Sequence, residues 1–236
     1  MKKLTSLLLV LLLLTSSSFA EDIAGKLIKV NLIVFSHINS DTYNSENWPR
    51  LLLQNNFPDA EQFITAKDAE SNNTLANANN SFLTQPVLIP ADHIGLPATI
   101  KRLKREGNHI VLNIAWVQSA VETNHWIHIY GGQAYNNKGQ ALENAPNVNT
   151  VEPIDNAQYW ELNGRIQISY NRFFNIGLRL YLTIPQAMGD IDAEKYNLIP
   201  LYSYPLISFH RSKPDQMTYF DHPLFSALVL ISPYKT

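Results

Sequence analysis

The first candidate for chemistry is an aspartate and histidine pair in the segment Tyr219-Phe220-Asp221-His222-Pro223. An aspartate beside a histidine can orient the imidazole ring through the nitrogen that carries the proton. Pro223 fixes the angle at which the chain enters the apolar segment that follows it. Because no companion nucleophile or metal ligand can be named, the sequence favours a structural corner first and a site second.

A second candidate is a set of possible metal ligands, Glu122, His125 and His128, which follow one another at steps of three. On a helix this spacing would place three ligands on one face. The flanking aromatic residues Trp126 and Tyr130 favour a strand, however, and residues three apart on a strand point to opposite sides. The sequence therefore predicts no metal site.

Signatures of covalent or nucleotide-dependent catalysis are missing from the sequence. It contains no Gly-x-Ser-x-Gly elbow, no Ser-x-x-Lys pair between suitable strands and no glycine-rich phosphate loop. A glycosidase needs only two carboxylates, which distant segments can supply. The carboxylates beside aromatic or apolar residues are Glu46, Asp92, Glu122, Glu161 and Asp221. Since no spacing singles out two of them, we predict no catalytic residue and no cofactor.

Composition excludes several further classes of function. The absence of cysteine removes disulfides, thiolate catalysis and cysteine-bound metals. The formal net charge is −2, and no dense cluster of Lys and Arg is present, so nucleic acid is not an expected partner. With 16% charged residues, amide side chains must cover much of the surface. Such a surface suits a carbohydrate or peptide ligand, although a genome biased toward Asn would produce the same composition.

The N-terminus has the pattern of a secretory signal peptide. Lys2 and Lys3 precede an apolar run over residues 7–14, and Ser18 and Ala20 stand at the positions that a signal peptidase reads. We expect cleavage after Ala20 and export from the cytoplasm, which means the periplasm if the host is a bacterium with two membranes. No second long apolar segment follows, so residues 21–236 are predicted to form a single domain with no transmembrane segment.

Apolar periodicity predicts an α+β fold with a mainly antiparallel sheet of about seven strands, one main helix and long Asn-rich loops. The helix begins at Pro97 and ends before Gly107, with Leu103 on its apolar side. Asn171-Arg172 is predicted to form the turn of a hairpin within residues 160–184. The other strands are predicted over residues 26–36, 109–118, 126–130, 198–209 and 225–231. Short helices are possible at residues 48–53 and 59–69, and loops are expected at residues 70–81 and 131–158.

The C-terminal segment Met217 to Tyr234 resembles the CsiV family, whose members end in a basic segment, a Tyr-Phe-Asp-His-Pro corner and a final strand. Weaker similarities extend along most of residues 21–236. They are the first strand ending at Phe35, Trp48 in a polar segment, Leu103 in the helix, Trp116 and Gln118 in one strand, Leu162-x-Gly164, and Arg211 before the corner.

This resemblance implies a periplasmic protein that binds peptidoglycan and supports the integrity of the cell envelope, without catalysing a reaction. The expected ligand-binding residues are Arg211, Tyr219, Asp221 and His222, with Trp48 and Trp116 as aromatic candidates. Trp116 lies in the middle of a strand, which favours a place in the core. The basic segment contains fewer basic residues here than in the family, because His210 and Ser212 stand where basic or larger residues are expected. Binding is therefore expected to be weaker or to lie elsewhere.

Two alternatives remain open from the sequence. One is a peptidoglycan hydrolase that uses two of the carboxylates named above. The other is a structural adaptor for a second envelope protein, with the Asn-rich segments 72–81 and 136–149 as contact regions.

Overall fold

The computed structural model describes residues 23–37, 57–64, 68, 83–90, 93–142, 158–185 and 201–234. The signal peptide, Trp48 and the predicted loop at residues 70–81 lie outside these ranges. Within them lie ten strands and the helix α1. The elements are β1 Leu27–Ser36, β2 Ala60–Glu61, β3 Val87–Leu88, α1 Pro97–Arg105, β4 His109–Ser119, β5 Trp126–Tyr135, β6 Tyr159–Asn171, β7 Phe173–Pro185, β8 Leu201–Ser212, β9 Met217–His222 and β10 Phe225–Pro233.

The strands form two sheets of five strands each, which corrects the predicted single sheet of about seven. The first sheet has the order β3-β4-β1-β10-β9, and the second has the order β2-β5-β6-β7-β8. All pairs are antiparallel except β2 with β5. The described strands alternate between the sheets along the chain: β2 of the second sheet comes between β1 and β3 of the first, the chain passes to the second sheet again between β4 and β5, and it returns between β8 and β9. Alternation in a sequence shows which side of a strand is buried, but it does not show which sheet the strand joins.

The core lies between the two sheets, which pack face to face as a sandwich. One cluster of buried side chains contains Leu32 and Trp116 of the first sheet together with Leu178 and Leu180 of the second. Trp116 is completely buried, and Phe63 meets its ring edge-on with 5.4 Å between centroids. The mainly antiparallel α+β class is confirmed, and its strands form two packed layers.

Helix α1 packs on part of the outer face of the first sheet. Leu103 of the helix packs with Ile33, Phe35, Ile110 and Leu228 of the sheet in a second apolar cluster. The predicted helix and its buried Leu103 are confirmed, and its basic side chains are exposed. No helix in the described part of the chain is long and apolar enough to cross a membrane.

Other predicted elements differ from the structure in their extent. The hairpin of β6 and β7 turns at Arg172, which has a φ of 66°, as expected from Asn171-Arg172. Residues 131–135 were predicted as loop but continue β5, since Ala134 and Tyr135 are buried and pair with β6. Residues 59–64 do not form the predicted short helix. They contain β2, and Ile64 bridges to Val87 of β3.

An ion pair between His109 of β4 and Glu161 of β6 joins the two sheets at one edge. His109 Nε2 lies 3.4 Å from Glu161 Oε1, and Glu161 Oε2 accepts a hydrogen bond from the Gln133 N–H at 2.9 Å. The hydrogen bond to Glu161 raises the pKa of His109, although burial opposes it. The protonated ring is therefore favoured in the folded state.

The stability that the wild type gains over a His109→Gln variant should fall as the pH rises. A raised folded-state pKa means that this contribution is complete below the ordinary histidine pKa of about 6.5 and is lost as the pH passes the folded value. Because the pair is partly exposed, the contribution should not exceed about 1 kcal/mol. Urea unfolding of both proteins between about pH 5 and pH 9 measures it. A difference that grows with pH would contradict this assignment.

Candidate functional site

The outer face of the second sheet carries an unusual set of aromatic and cationic side chains. Strands β5 to β8 bury alternate residues in the core, so the intervening residues point outward. Phe57, which precedes β2, also packs on this side. We call six of these side chains the aromatic–arginine face: Phe57, Trp126, His128, Arg165, Arg179 and Phe209.

Two arginines lie directly opposite each other at the centre of this face. Arg165 of β6 is the cross-strand partner of Arg179 of β7. The guanidinium carbon of Arg165 lies 4.8 Å from the centroid of the Trp126 ring, and that of Arg179 lies 5.2 Å from it. Arg165 also lies 5.9 Å from the centroid of Phe57. Cation–π attraction to one shared indole ring holds both cations in place.

A glycine makes room for the aromatic rings beside the arginines. A Cβ atom on Gly177 of β7 would lie 2.9 Å from the Phe209 ring and 3.1 Å from the Trp126 ring. The two rings meet edge-on with 6.2 Å between their centroids. Trp126 and Phe209 therefore lie against the backbone of Gly177, which has no side chain to separate them from it.

His128 occupies the other end of the face and is held by two amide side chains. Its Nε2 lies 2.8 Å from Asn163 Oδ1, and its Nδ1 lies 3.2 Å from Gln62 Nε2. Since the amide oxygen accepts and the amide nitrogen donates, these contacts fit a neutral ring with the proton on Nε2. Burial lowers the pKa of His128, although the hydrogen bond to Asn163 opposes it. The positive charge on this face therefore comes from the arginines.

The face is also apolar and open to solvent at β8. Phe209 is 59% exposed and Ile207 is 55% exposed, the highest values among the large hydrophobic residues described. Arg211 lies further along β8 on the same side, opposite Asn175 of β7. A broad surface that combines exposed rings with fixed cations is suited to an extended ligand with apolar faces and negative groups.

The residues expected at the C-terminal corner do not converge on this face. Phe220 of β9 is buried in the core, so its neighbours Tyr219 and Asp221 point away from the second sheet. Tyr219 pairs with Leu228, whose side chain packs under helix α1. Of the five sequence-predicted ligand-binding residues that the structure describes, Arg211 is the one that lies beside the aromatic–arginine face.

Asp221 forms a small hydrogen-bonded cluster on the outer face of the first sheet. Its Oδ1 accepts hydrogen bonds of 2.8 Å from Tyr219 Oη and 2.8 Å from Ser226 Oγ. Burial is the main cause that raises the pKa of Tyr219. These contacts link β9 to β10 and give the cluster a structural role.

His222 is oriented by the tight turn that follows it. Its Nδ1 accepts a hydrogen bond from the Leu224 N–H at 3.2 Å, and its ring packs on Phe225 with 5.2 Å between centroids. Burial lowers the pKa of His222, with the charge of Asp221 opposing it. The predicted corner is therefore the end of the β9–β10 hairpin.

The aromatic candidates differ in their accessibility. Trp116 is completely buried, and its Nε1 donates a hydrogen bond to Gln118 Oε1 at 2.7 Å. A fully buried ring has no surface on which a sugar could stack. Trp48 lies outside the described residues. The sequence did not identify Trp126, Arg165, Arg179 or Phe209, although each stands at an outward position of a strand-like segment.

The structure brings only some of the described catalytic and metal-binding candidates together: Glu122 and His125 line one cavity, whereas His128 lies on the aromatic–arginine face. Glu161 pairs with His109 and Asp221 with Tyr219, whereas Glu46 and Asp92 lie outside the described residues. Glu122 and Glu61 line a cavity of about 670 Å³ at one end of the sandwich, where Glu61 Oε1 is 2.7 Å from His125 Nδ1. Within the described ranges, no group of three His, Asp or Glu residues could hold a metal ion.

Comparison with known proteins gives one family match. A family model described as "Peptidoglycan-binding protein, CsiV" matches residues 3–234. Neither the curated proteins nor the solved structures contain a match to the chain.

Proposed function

Because the chain belongs to the CsiV family of peptidoglycan-binding proteins, we propose that it binds peptidoglycan through the aromatic–arginine face, in the periplasm and without catalysing a reaction. The match over residues 3–234 confirms the family resemblance recognised in the sequence. The predicted signal peptide supports the periplasmic location.

The arrangement of Trp126 between Arg165 and Arg179 is the observation that supports this site most strongly. Peptidoglycan combines glycan chains, whose sugar rings have apolar faces, with stem peptides that carry carboxylates. An aromatic ring can stack on a sugar face, and a guanidinium can pair with a carboxylate. The two kinds of group lie within one patch of the second sheet.

The openness of the face also fits a polymer. Phe209 and Ile207 extend the apolar surface along β8 toward Arg211, so contact can continue beyond a single sugar. Small-molecule sites are usually concave and enclose most of their ligand. A strand surface leaves the ends of a chain free to continue in both directions.

A non-enzymatic role is supported by the structural contacts of the candidate carboxylates Glu161 and Asp221, whereas Glu61 and Glu122 share one cavity. Glu161 and Asp221 belong to different elements, and each has hydrogen-bond partners of its own. A hydrolase hypothesis would place the active site in the cavity lined by Glu61 and Glu122. Glu61 is engaged there by His125.

Sedimentation with insoluble cell-wall sacculi tests both parts of the proposal. The purified protein without its signal peptide should pellet with sacculi, whereas an inert protein of similar size and charge should stay in the supernatant. Chromatography of the supernatant should show no soluble wall fragments. Retention equal to that of the inert protein would overturn the binding proposal. Fragments that accumulate in proportion to protein would favour the hydrolase.

An adaptor role is separated from wall binding by crosslinking in cells. Wall fragments should be recovered with the protein if it binds peptidoglycan directly. Recovery of a single dominant protein partner with no wall fragments would favour the adaptor alternative.

A further inference from the structure

We infer that Arg165 and Arg179 together form a carboxylate-binding site that recognises the free carboxylates of the stem peptides. The inference rests on the proposed function, because it assigns a specific chemical group of the same polymer to the centre of the same face.

The register of β6 and β7 brings two positive charges together. Arg165 and Arg179 are directly opposite across β6 and β7, and like charges in this position repel each other. The ion pairs in the described part of the chain join Arg102 to Glu106, His109 to Glu161 and His125 to Glu61. None of them neutralises either central arginine. An anion placed between the two guanidinium groups would remove the repulsion.

Both central arginines have a hydrogen-bond donor that the protein leaves unpaired. The Nε atoms of Arg165 and Arg179 are both buried, and neither has a hydrogen-bond partner. Buried donors nearly always have an acceptor, and the exceptions call for an explanation. A guanidinium has donors in a fixed fork that matches the two oxygens of a carboxylate. The protein itself supplies no acceptor for these two Nε–H groups, and a carboxylate that binds a guanidinium through its Nε–H must displace the groups that cover it.

Aromatic contacts hold the two arginine side chains in place before a ligand binds. The Trp126 ring lies under both guanidinium groups, and Phe57 adds a second ring beside Arg165. These contacts restrict the arginine side chains before any ligand arrives, which lowers the entropy lost on binding. The nearby outward side chains of Asn163 and Gln167 are neutral, so they do not compete with a carboxylate for the cations.

The apolar surroundings favour a carboxylate attached to a sugar or peptide over a bare polyanion. Phe209 and Ile207 lie beside the arginines and offer surface to apolar groups next to the anion. The chain has a net charge of −2, which is unfavourable for a densely charged polymer.

Blocking the carboxylates of the wall tests the inference. The wild type should bind sacculi that were amidated with a carbodiimide and an amine at least roughly tenfold more weakly than untreated sacculi. Arg165→Gln and Arg179→Gln should each weaken binding to untreated sacculi by a similar factor and should be insensitive to amidation. Arg102→Gln, which removes an exposed cation on α1, is the matched control and should behave as the wild type.

A readout of stability separates ligand binding from a merely structural role. Arg179→Gln loses a cation–π contact, which lowers stability, but it also loses the repulsion between two like charges, which raises stability. Because these two effects oppose each other, its unfolding temperature should stay within about 4 °C of the wild-type value. Arg179→Lys keeps the charge but loses the fork, and it should recover only part of the binding. A large loss of stability without a change in amidation sensitivity would contradict the inference.

Failure of the inference and failure of the proposed function give different results. Equal binding to native and amidated sacculi would overturn the carboxylate site and leave wall binding intact. If native sacculi are not bound, calorimetric titration with N-acetylmuramyl-L-alanyl-D-isoglutamine and its fully amidated analogue decides the inference separately. Binding of the acid alone, lost in Arg165→Gln, would support the site. Equal binding of both compounds, or of neither, would overturn it.

Discussion

Trp126→Ala should weaken binding to sacculi roughly 30-fold or more, the largest effect on binding that we expect from one substitution. The ring contacts both central arginines and meets Phe209 edge-on. Its loss removes a stacking surface and also frees Arg165 and Arg179 to leave their positions. Pelleting with increasing amounts of sacculi gives the apparent affinity of both proteins.

Two further variants test whether this effect belongs to the aromatic–arginine face. Trp126→Phe keeps a ring and should retain a substantial part of the affinity. Tyr219→Ala removes a half-exposed ring from the outer side of the first sheet and should bind as the wild type. If Tyr219→Ala lost more affinity than Trp126→Ala, the binding site would belong at the C-terminal hairpin, where the sequence first indicated it.

Gly164→Ala should reduce the free energy of unfolding by roughly 3 kcal/mol or more, the largest effect on stability that we expect. Gly164 has a φ of 157°, and a Cβ atom there would clash with the backbone carbonyl of Arg179 and lie 2.8 Å from Leu180 Cα. Because the obstacle is backbone, relief requires that β6 and β7 separate. Urea unfolding followed by circular dichroism measures the loss.

Gly107→Ala is the matched control for Gly164→Ala. Gly107 also has a positive φ, of 86°, but no atom lies within 4 Å of the position that a Cβ would take. It should lose only about 1 kcal/mol, from backbone strain. Equal losses in the two variants would show that the close approach of β6 to β7 is not what requires glycine at position 164.

The close approach at Gly164 also serves the candidate site. The residue lies between Asn163, which holds His128, and Arg165, which faces Arg179. If Gly164→Ala still folds, it should therefore bind the wall less well than its stability alone would indicate. The same backbone contact thus supports both the sandwich and the spacing of its outer side chains.

The pairing of Arg165 with Arg179 could have been predicted from the sequence. The turn at Asn171-Arg172 was predicted and is confirmed, and a hairpin folded symmetrically about Arg172 places Arg165 opposite Arg179. Both residues stand between buried apolar neighbours, so alternation directs them outward. The step that required the structure was the position of Trp126, which comes from another strand and covers both cations.

The C-terminal corner shows why adjacency in sequence is a weak guide to a site. Asp221 and His222 are neighbours in the chain, but successive residues of a strand point to opposite sides. Asp221 accepts hydrogen bonds from Tyr219 and Ser226, whereas the His222 ring follows the turn at Leu224. The segment identified the family correctly through its sequence, and this does not require it to contact the ligand.

Local patterns in the sequence determined the family, the helix with Leu103 and the paired strands, because propensity, alternation and turn residues act over a few positions. Tertiary structure decided that there are two sheets, that α1 packs on the first, and that the outer face of the second presents Trp126, Arg165 and Arg179 together. That outcome depends on which strands pair and which faces pack, and these contacts join residues far apart in the chain. Alternation assigns a side chain to the outside, but only packing shows what it meets there.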